Sequence, residues 1–267
     1  MKKQLAYDKG LLTYHVNGSG PCVVLLHGFL ESSKIWDLFK EEMAAHHTLL
    51  CIDLPGHGES SVFGPTHTME FMASCVKAIL DEEQISNAVL CGHSMGGYVS
   101  LAFAKAYPER LSGLVLFHSH ASADDAQGKE NRLRTAEIIK KDKLQFISSF
   151  TPSLFAPENR EALASTIQQL QEESHTLSKE GIIAALLGMG SRTSSLDLLT
   201  KAPWPVLFIV GKEDSRIPLQ KALAQMALPP HAEALILAHT GHMGFVEEPQ
   251  KTRTTLMDFT KRCHLHT

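Results

Sequence analysis

Ala88-Val89-Leu90-Cys91-Gly92-His93-Ser94-Met95-Gly96-Gly97-Tyr98 is the stretch on which the reading of this chain turns. An apolar, strand-like run from Ala88 to Cys91 ends in Gly92-His93-Ser94-Met95-Gly96, and a helix-like run follows to Tyr107. A G-x-S-x-G run between a strand and a helix has a mechanical meaning. The tight turn pushes the serine into a strained backbone conformation and holds its hydroxyl clear of the sheet. Glycines two residues to either side let the backbones cross closely. The helix behind supplies free N–H groups and a partial positive charge, which suit a developing oxyanion. Ser94 is therefore the candidate nucleophile.

A serine at its ordinary pKa needs a base, and the base needs an orienting acid. The acid candidate closes Pro205-Val206-Leu207-Phe208-Ile209-Val210-Gly211-Lys212-Glu213-Asp214, a buried-type strand followed by a polar turn. The base candidate closes Ala234-Leu235-Ile236-Leu237-Ala238-His239-Thr240-Gly241-His242, another apolar strand running into a glycine-containing loop. The order Ser94, Asp214, His242 is the order of one known triad type. All three follow the C-terminal end of an expected strand, and in an open parallel sheet those ends share one edge.

A pass along the chain gives the architecture. A hairpin-like pair covers about Leu5 to Asn17, closed by Asn17-Gly18-Ser19-Gly20-Pro21. The main strands are expected at Cys22–Leu26, Thr48–Ile52, Ala88–Cys91, Leu111–Phe117, Val206–Val210 and Ala234–Leu237. Helical patterns lie at Lys34–Ala45, Met69–Glu83, Met95–Tyr107, Leu219–Met226 and Gly244–Cys263. Uninterrupted apolar strands separated by helices imply an α/β fold with a mainly parallel sheet covered on both faces. The alternation breaks between His120 and about Pro203. Helix-period apolar residues fill that interval, interrupted by Pro152 and Pro157, and its charged stretch from Lys129 to Lys143 reads as a solvated face.

With these motifs in order, the chain resembles the α/β-hydrolase fold superfamily, as a serine-nucleophile, esterase- or lactonase-like member with a helical cap. The resemblance covers nearly the whole length. It rests also on His27-Gly28-Phe29 after one strand, on Asp53-Leu54-Pro55-Gly56-His57-Gly58-Glu59-Ser60 after the next, and on Glu247-Glu248-Pro249 beyond His242. It implies a core domain of residues 1–120 and 203–267 and a cap insertion of residues 121–202 that roofs the site. It implies structural roles for His27, Asp53 and His57, and a turn-tuning role for His93. It places the backbone N–H groups of Phe29 and Met95 in an oxyanion hole, where each donor contributes about 3–4 kcal/mol to the transition state. The Gly211, Asp214, Pro218 spacing selects Asp214 over Glu213, and His239 lacks the Glu-Pro context of His242. Phe146, Phe155 and Met189 are candidate pocket walls, with core packing as the alternative use of each.

The resemblance also grades substrates. Ser94 stands where dehalogenases and epoxide hydrolases carry a nucleophilic Asp. Met243 stands where meta-cleavage carbon–carbon hydrolases usually carry Trp, and Met95 where proline iminopeptidases do. The menaquinone-pathway lyase resembles the chain at His27-Gly28-Phe29 and Ser94-Met95-Gly96-Gly97, but usually has Arg where Tyr98 stands; Arg132, Arg134 or Arg192 of the cap could replace it. What remains is a serine hydrolase of a small carboxylic ester or lactone, acting through an acyl-enzyme. That lyase, and a hydrolase-fold receptor with slow turnover, are the alternatives.

Composition agrees with an ordinary globular enzyme of 267 residues, 43% hydrophobic and 20% charged. A net charge of −4 and the absence of a Lys/Arg stripe argue against a nucleic-acid partner. No signal peptide and no membrane-length apolar run is visible. The odd count of five cysteines, three of them in core strands, reads as buried free thiols in a reducing, cytoplasmic setting. The reaction requires no cofactor and no metal. His118-Ser119-His120 and Cys263-His264-Leu265-His266 lack further ligands at recognisable spacing, and the latter reads as a frayed end. Nothing in the sequence sets an oligomeric state.

Overall fold

The computed structural model describes residues 1–264, so the end of the Cys263–His266 tail lies outside the described residues. Two strands, β1 (Lys2–Tyr7) and β2 (Gly10–Asn17), form the opening hairpin. Six more follow: β3 (Cys22–Leu26), β4 (Thr48–Ile52), β5 (Ala88–His93), β6 (Leu111–Phe117), β7 (Val206–Gly211) and β8 (Ala232–Leu237). They make one sheet in the order β1-β2-β4-β3-β5-β6-β7-β8. The two pairings of β2 are antiparallel and the rest are parallel.

The inner strands are buried on both sides and mostly apolar because helices cover both faces. Val24, Leu50, Leu90, Leu114 and Phe208 face one core, shared with α2 (Met69–Glu82) and α3 (Met95–Ala106). Their neighbours Val23, Leu49, Val89, Val115 and Leu207 face the other, shared with α1 (Asp37–Ala44) and the C-terminal helix. All five cysteines are buried free thiols.

Between β6 and β7 the chain leaves the sheet for α4 (Ala126–Lys141), α5 (Lys143–Phe150), α6 (Ala164–His175), α7 (Lys179–Ser191) and α8 (Leu196–Thr200). Polar side chains start three of these. Asp125 accepts from Gly128 N, Asp142 from Gln145 N and Ser178 from Gly181 N, each satisfying an otherwise orphaned donor. After α9 (Leu219–Met226) and β8, the helix expected over Gly244–Cys263 is two: α10 (Gly244–Glu247) and α11 (Pro249–His264). The break falls at Glu248, at φ −140° and ψ 58°, because the residue before a proline is driven out of the helical region. The helix expected from Lys34 opens instead as a 3₁₀ turn, Ser33–Trp36, that runs into α1. No helix of the described residues is long and apolar enough to cross a membrane.

Candidate active site

Ser94 sits between β5 and α3 at φ 49° and ψ −110°, a conformation that costs a side chain about 1–3 kcal/mol. The crossing there leaves no room for a Cβ on either flank. One on Gly92 would lie 2.2 Å from the carbonyl carbon of Gly96, and one on Gly96 2.5 Å from Leu26 O. The strained residue is fixed from both sides: Ser94 N donates to Phe117 O at 2.9 Å, and Ser119 Oγ donates to Ser94 O at 2.8 Å. Two other non-glycine residues at positive φ border the site, Leu30 and His118. Met95 opens α3, so its N–H is among those with no partner inside the helix. Phe29 lines the same cavity as Ser94.

Asp214, buried in the turn after β7, receives four donors. Arg216 N and Ile217 N reach Oδ1 at 2.8 and 2.9 Å. His242 Nδ1 and His118 Nδ1 each donate to Oδ2 at 2.9 Å. Burial alone would raise this carboxyl; the charge of His242 and the imidazole hydrogen bonds outweigh it and hold the group well below the usual carboxylate range. An ionised carboxylate only accepts, so both rings carry their proton on Nδ1 and the basic nitrogen of His242 is Nε2. Its backbone is pinned too: His242 N donates to Leu154 O at 2.6 Å.

His118 is the site residue that sequence reasoning missed. It drew notice only as half of a His-x-His spacing, yet it follows the end of β6, at the edge where Ser94, Asp214 and His242 follow theirs. That strand-end position was the available signal. Burial pushes its imidazole down to about 4, so it is a neutral donor. Three successive residues brace three different groups: His118 holds Asp214, Ser119 holds Ser94, and His120 Nε2 bonds the Tyr98 hydroxyl at 3.2 Å. His118, Asp214 and His242 bring three possible metal-ligand atoms within 4.8 Å of one another. Both Nδ1 atoms are already engaged with the carboxylate.

His93, inside the elbow, ties three loops together. Its Nδ1 donates to Glu31 Oε2 and its Nε2 to His242 O, both at 2.9 Å. Glu31 Oε2 also accepts from Gly28 N. Burial works against a charged His93, but Glu31 outweighs it and the imidazole is raised. His27, Asp53 and His57 are engaged in loop hydrogen bonds. Leu54 N donates to His27 Nε2, Ser33 N and Glu59 N donate to Asp53, and His57 Nδ1 donates to Pro55 O. Glu213 is exposed, and His239 pairs with Glu158 at the surface.

A cavity of about 390 Å³ opens over Ser94 and His242. Phe146, Phe150, Leu186 and Met189 of the insertion line it, whereas Phe155 does not and is buried in the core cluster that holds Phe117 and Phe245. Arg132 also lines it but is bound to Asp124, which Arg192 reaches at 2.8 Å. Arg134 is exposed and does not line it.

Fold and elbow define a class, an α/β-hydrolase-fold enzyme. The chain belongs to the alpha/beta hydrolase fold family, which it matches over residues 21–249. An esterase of Thermogutta terrifontis, solved with malate bound, superimposes with a TM-score of 0.93 at 29% identity, over 99% of both chains. A pimeloyl-[acyl-carrier protein] methyl ester esterase of Salmonella paratyphi A is 28% identical over 251 residues, 90% of this chain and 94% of the relative. A Bacillus subtilis protein provisionally named 2-succinyl-6-hydroxy-2,4-cyclohexadiene-1-carboxylate synthase is 29% identical over 250 residues, 89% of this chain and 90% of the relative.

Proposed function

We propose that this chain is a serine hydrolase of a small carboxylic ester or lactone. The observation that carries the reading is the 2.9 Å hydrogen bond from His242 Nδ1 to Asp214, beside a cavity lined by both His242 and Ser94. In this reading Nε2 of His242 takes the proton of Ser94 as the serine oxygen attacks the ester carbon. The N–H groups of Phe29 and Met95 receive the oxyanion. Asp214 keeps His242 in the correct tautomer and stabilises the imidazolium. His242 returns the proton to the leaving alcohol, and water repeats the sequence on the acyl-Ser94. Residues 121–202 act as a cap on a core of 1–120 and 203–267, and the buried free thiols fit a reducing cytoplasm. The esterase names of two relatives support the substrate class.

One observation favours the lyase alternative, an arginine in the cavity wall for an acidic substrate. That arginine, Arg132, is already paired with Asp124, and Tyr98 fills the position where the lyase usually has Arg. The ester reading is therefore preferred. Its test is hydrolysis of p-nitrophenyl esters from acetate to octanoate by wild type and Ser94→Ala. Turnover by wild type that the variant lacks is expected. Equal turnover by both, or none by wild type on any ester or lactone, would overturn the reading; ligand-induced stabilisation without turnover would point to a receptor.

A further inference from the structure

Tyr98 lies one helical turn beyond Ser94 on α3, and its ring is buried. It lines the catalytic cavity of about 390 Å³ and also a second cavity of about 240 Å³. Among the described residues, no other residue lines both. The second cavity has an aliphatic wall from Met69, Leu101, Ala102 and Ala121, and it opens to solvent at a rim that includes the exposed Glu70 and Lys105. No group of the proposed triad lines it.

The ring is held as a partition. Its hydroxyl bonds His120 Nε2 at 3.2 Å, and the Arg192 guanidinium lies 3.9 Å from the ring centroid. Both of those partners line the second cavity, so the restraint comes from that side. Arg192 is itself fixed, by Asp124 and by the carbonyl oxygens of Met189 and Ser122. A side chain clamped by a hydrogen bond and a stacked cation does not swing aside at little cost.

We propose that Tyr98 sets the length of the substrate's apolar chain, and that the second cavity is an extension of the substrate site from which the Tyr98 ring now separates it. The ligand class for that extension is an unbranched alkyl chain, since its wall offers chiefly aliphatic surface. The proposal rests on the ester-hydrolase reading. In the wild-type enzyme the partition confines substrates to chains that the first cavity accommodates. Shortening the side chain at position 98 joins the two spaces, and each methylene then buried raises kcat/KM by about fourfold.

The test compares wild type, Tyr98→Ala, Tyr98→Phe and the double variant Tyr98→Ala/Ala102→Phe. Substrates are p-nitrophenyl esters of rising acyl length and alkyl acetates of rising alcohol length. Tyr98→Ala is expected to raise the octyl-to-butyl ratio of kcat/KM at least tenfold in one of the two series. Tyr98→Phe keeps the ring and should keep the wild-type ratio. Ala102→Phe, one turn further along α3, refills the second cavity and should return the double variant to the wild-type ratio. Parallel profiles for Tyr98→Ala and wild type in both series would overturn the proposal. So would a Tyr98→Phe shift equal to that of Tyr98→Ala, which would assign the effect to the hydroxyl. Where Tyr98→Ala fails to fold, Tyr98→Leu carries the same expectation. If wild type shows no Ser94-dependent turnover, it is the hydrolase reading that fails; the partition is then read from thermal shifts. Octanoate should stabilise Tyr98→Ala more than butanoate does, and should not do so for wild type; equal shifts would overturn the partition.

Discussion

Two carboxylates beside the site, the half-buried Asp124 and the buried Asp214, are each shared by two basic side chains. Asp124, at the entry to the insertion, is held by Arg132 of α4 and by Arg192 beyond α7. Asp214, after β7, is held by His118 and His242. Both carboxyls are depressed, Asp124 to about 2, where arginine hydrogen bonds outweigh the burial that would raise it. The difference lies in the partners. A guanidinium keeps its charge at every working pH, so the Asp124 cluster fixes geometry and moves no proton. An imidazole can gain a proton, so the attraction of Asp214 strengthens when His242 becomes charged. The same arrangement of one acid between two bases makes a clamp in one place and, in the proposed mechanism, a catalytic pair in the other.

The sharpest way to break the comparison is to neutralise each acid. Asp214→Asn should lower kcat roughly 10⁴-fold, because the amide can stabilise the wrong tautomer of His242 and cannot stabilise its cation. A loss under tenfold in steady-state hydrolysis would remove Asp214 from the mechanism. Asp124→Asn leaves two guanidiniums without their counter-charge. Its cost should appear in urea unfolding, as about 1–3 kcal/mol, while kcat stays within a few-fold. A large kcat loss with unchanged stability would reverse the assignments.

His118 sharpens the comparison further, as a partner that burial keeps neutral down to about pH 4. His118→Leu should lower kcat roughly tenfold or more with KM little changed, because Asp214 loses a donor that fixes its orientation. His118→Asn offers an N–H near the place of Nδ1 and should recover most of the loss. Equal rates for Leu and wild type would reduce His118 to packing.

The last effect is a pH slope, read in stability and not in rate. His118, His57 and His120 are pushed down by burial, to about 4, 3 and 3. Below pH 6.5 the unfolded chain takes up protons at these rings and the folded chain does not. Stability should therefore fall as pH drops from about 6.5 toward 4, by up to about 1.4 kcal/mol per pH unit for each ring. Urea midpoints between pH 7.5 and 5 measure it, and a flat profile would contradict neutral burial of these histidines. The Asp124 cluster, titrating near 2, adds nothing across that range.

What was legible in the sequence is what local pattern determines. Buried parallel strands such as Cys22–Leu26, a continuous apolar run, and Leu111–Phe117, apolar but for Ser112 and Gly113, have the bounds expected. The elbow was readable because its glycines are required by backbone crossings within a few residues or against Leu26. Less was legible where partners are distant in sequence. His118 meets Asp214 from 96 residues away, and Arg192 meets Ser122 from 70. Phe146 and Phe155 are equal candidates for the pocket wall in the sequence, yet one lines the cavity and the other is buried in the core, since an apolar side chain does not say what it meets. The double position of Tyr98 depends on the insertion, whose packing no motif specifies.

The most direct test of the account is the site and rate of labelling by a fluorophosphonate, mapped by peptide mass. The account predicts a single adduct on Ser94 in the wild type, formed at least a hundredfold more slowly in His242→Ala and Asp214→Asn. An adduct on another residue, or labelling of Ser94 at an unchanged rate in those variants, would contradict it.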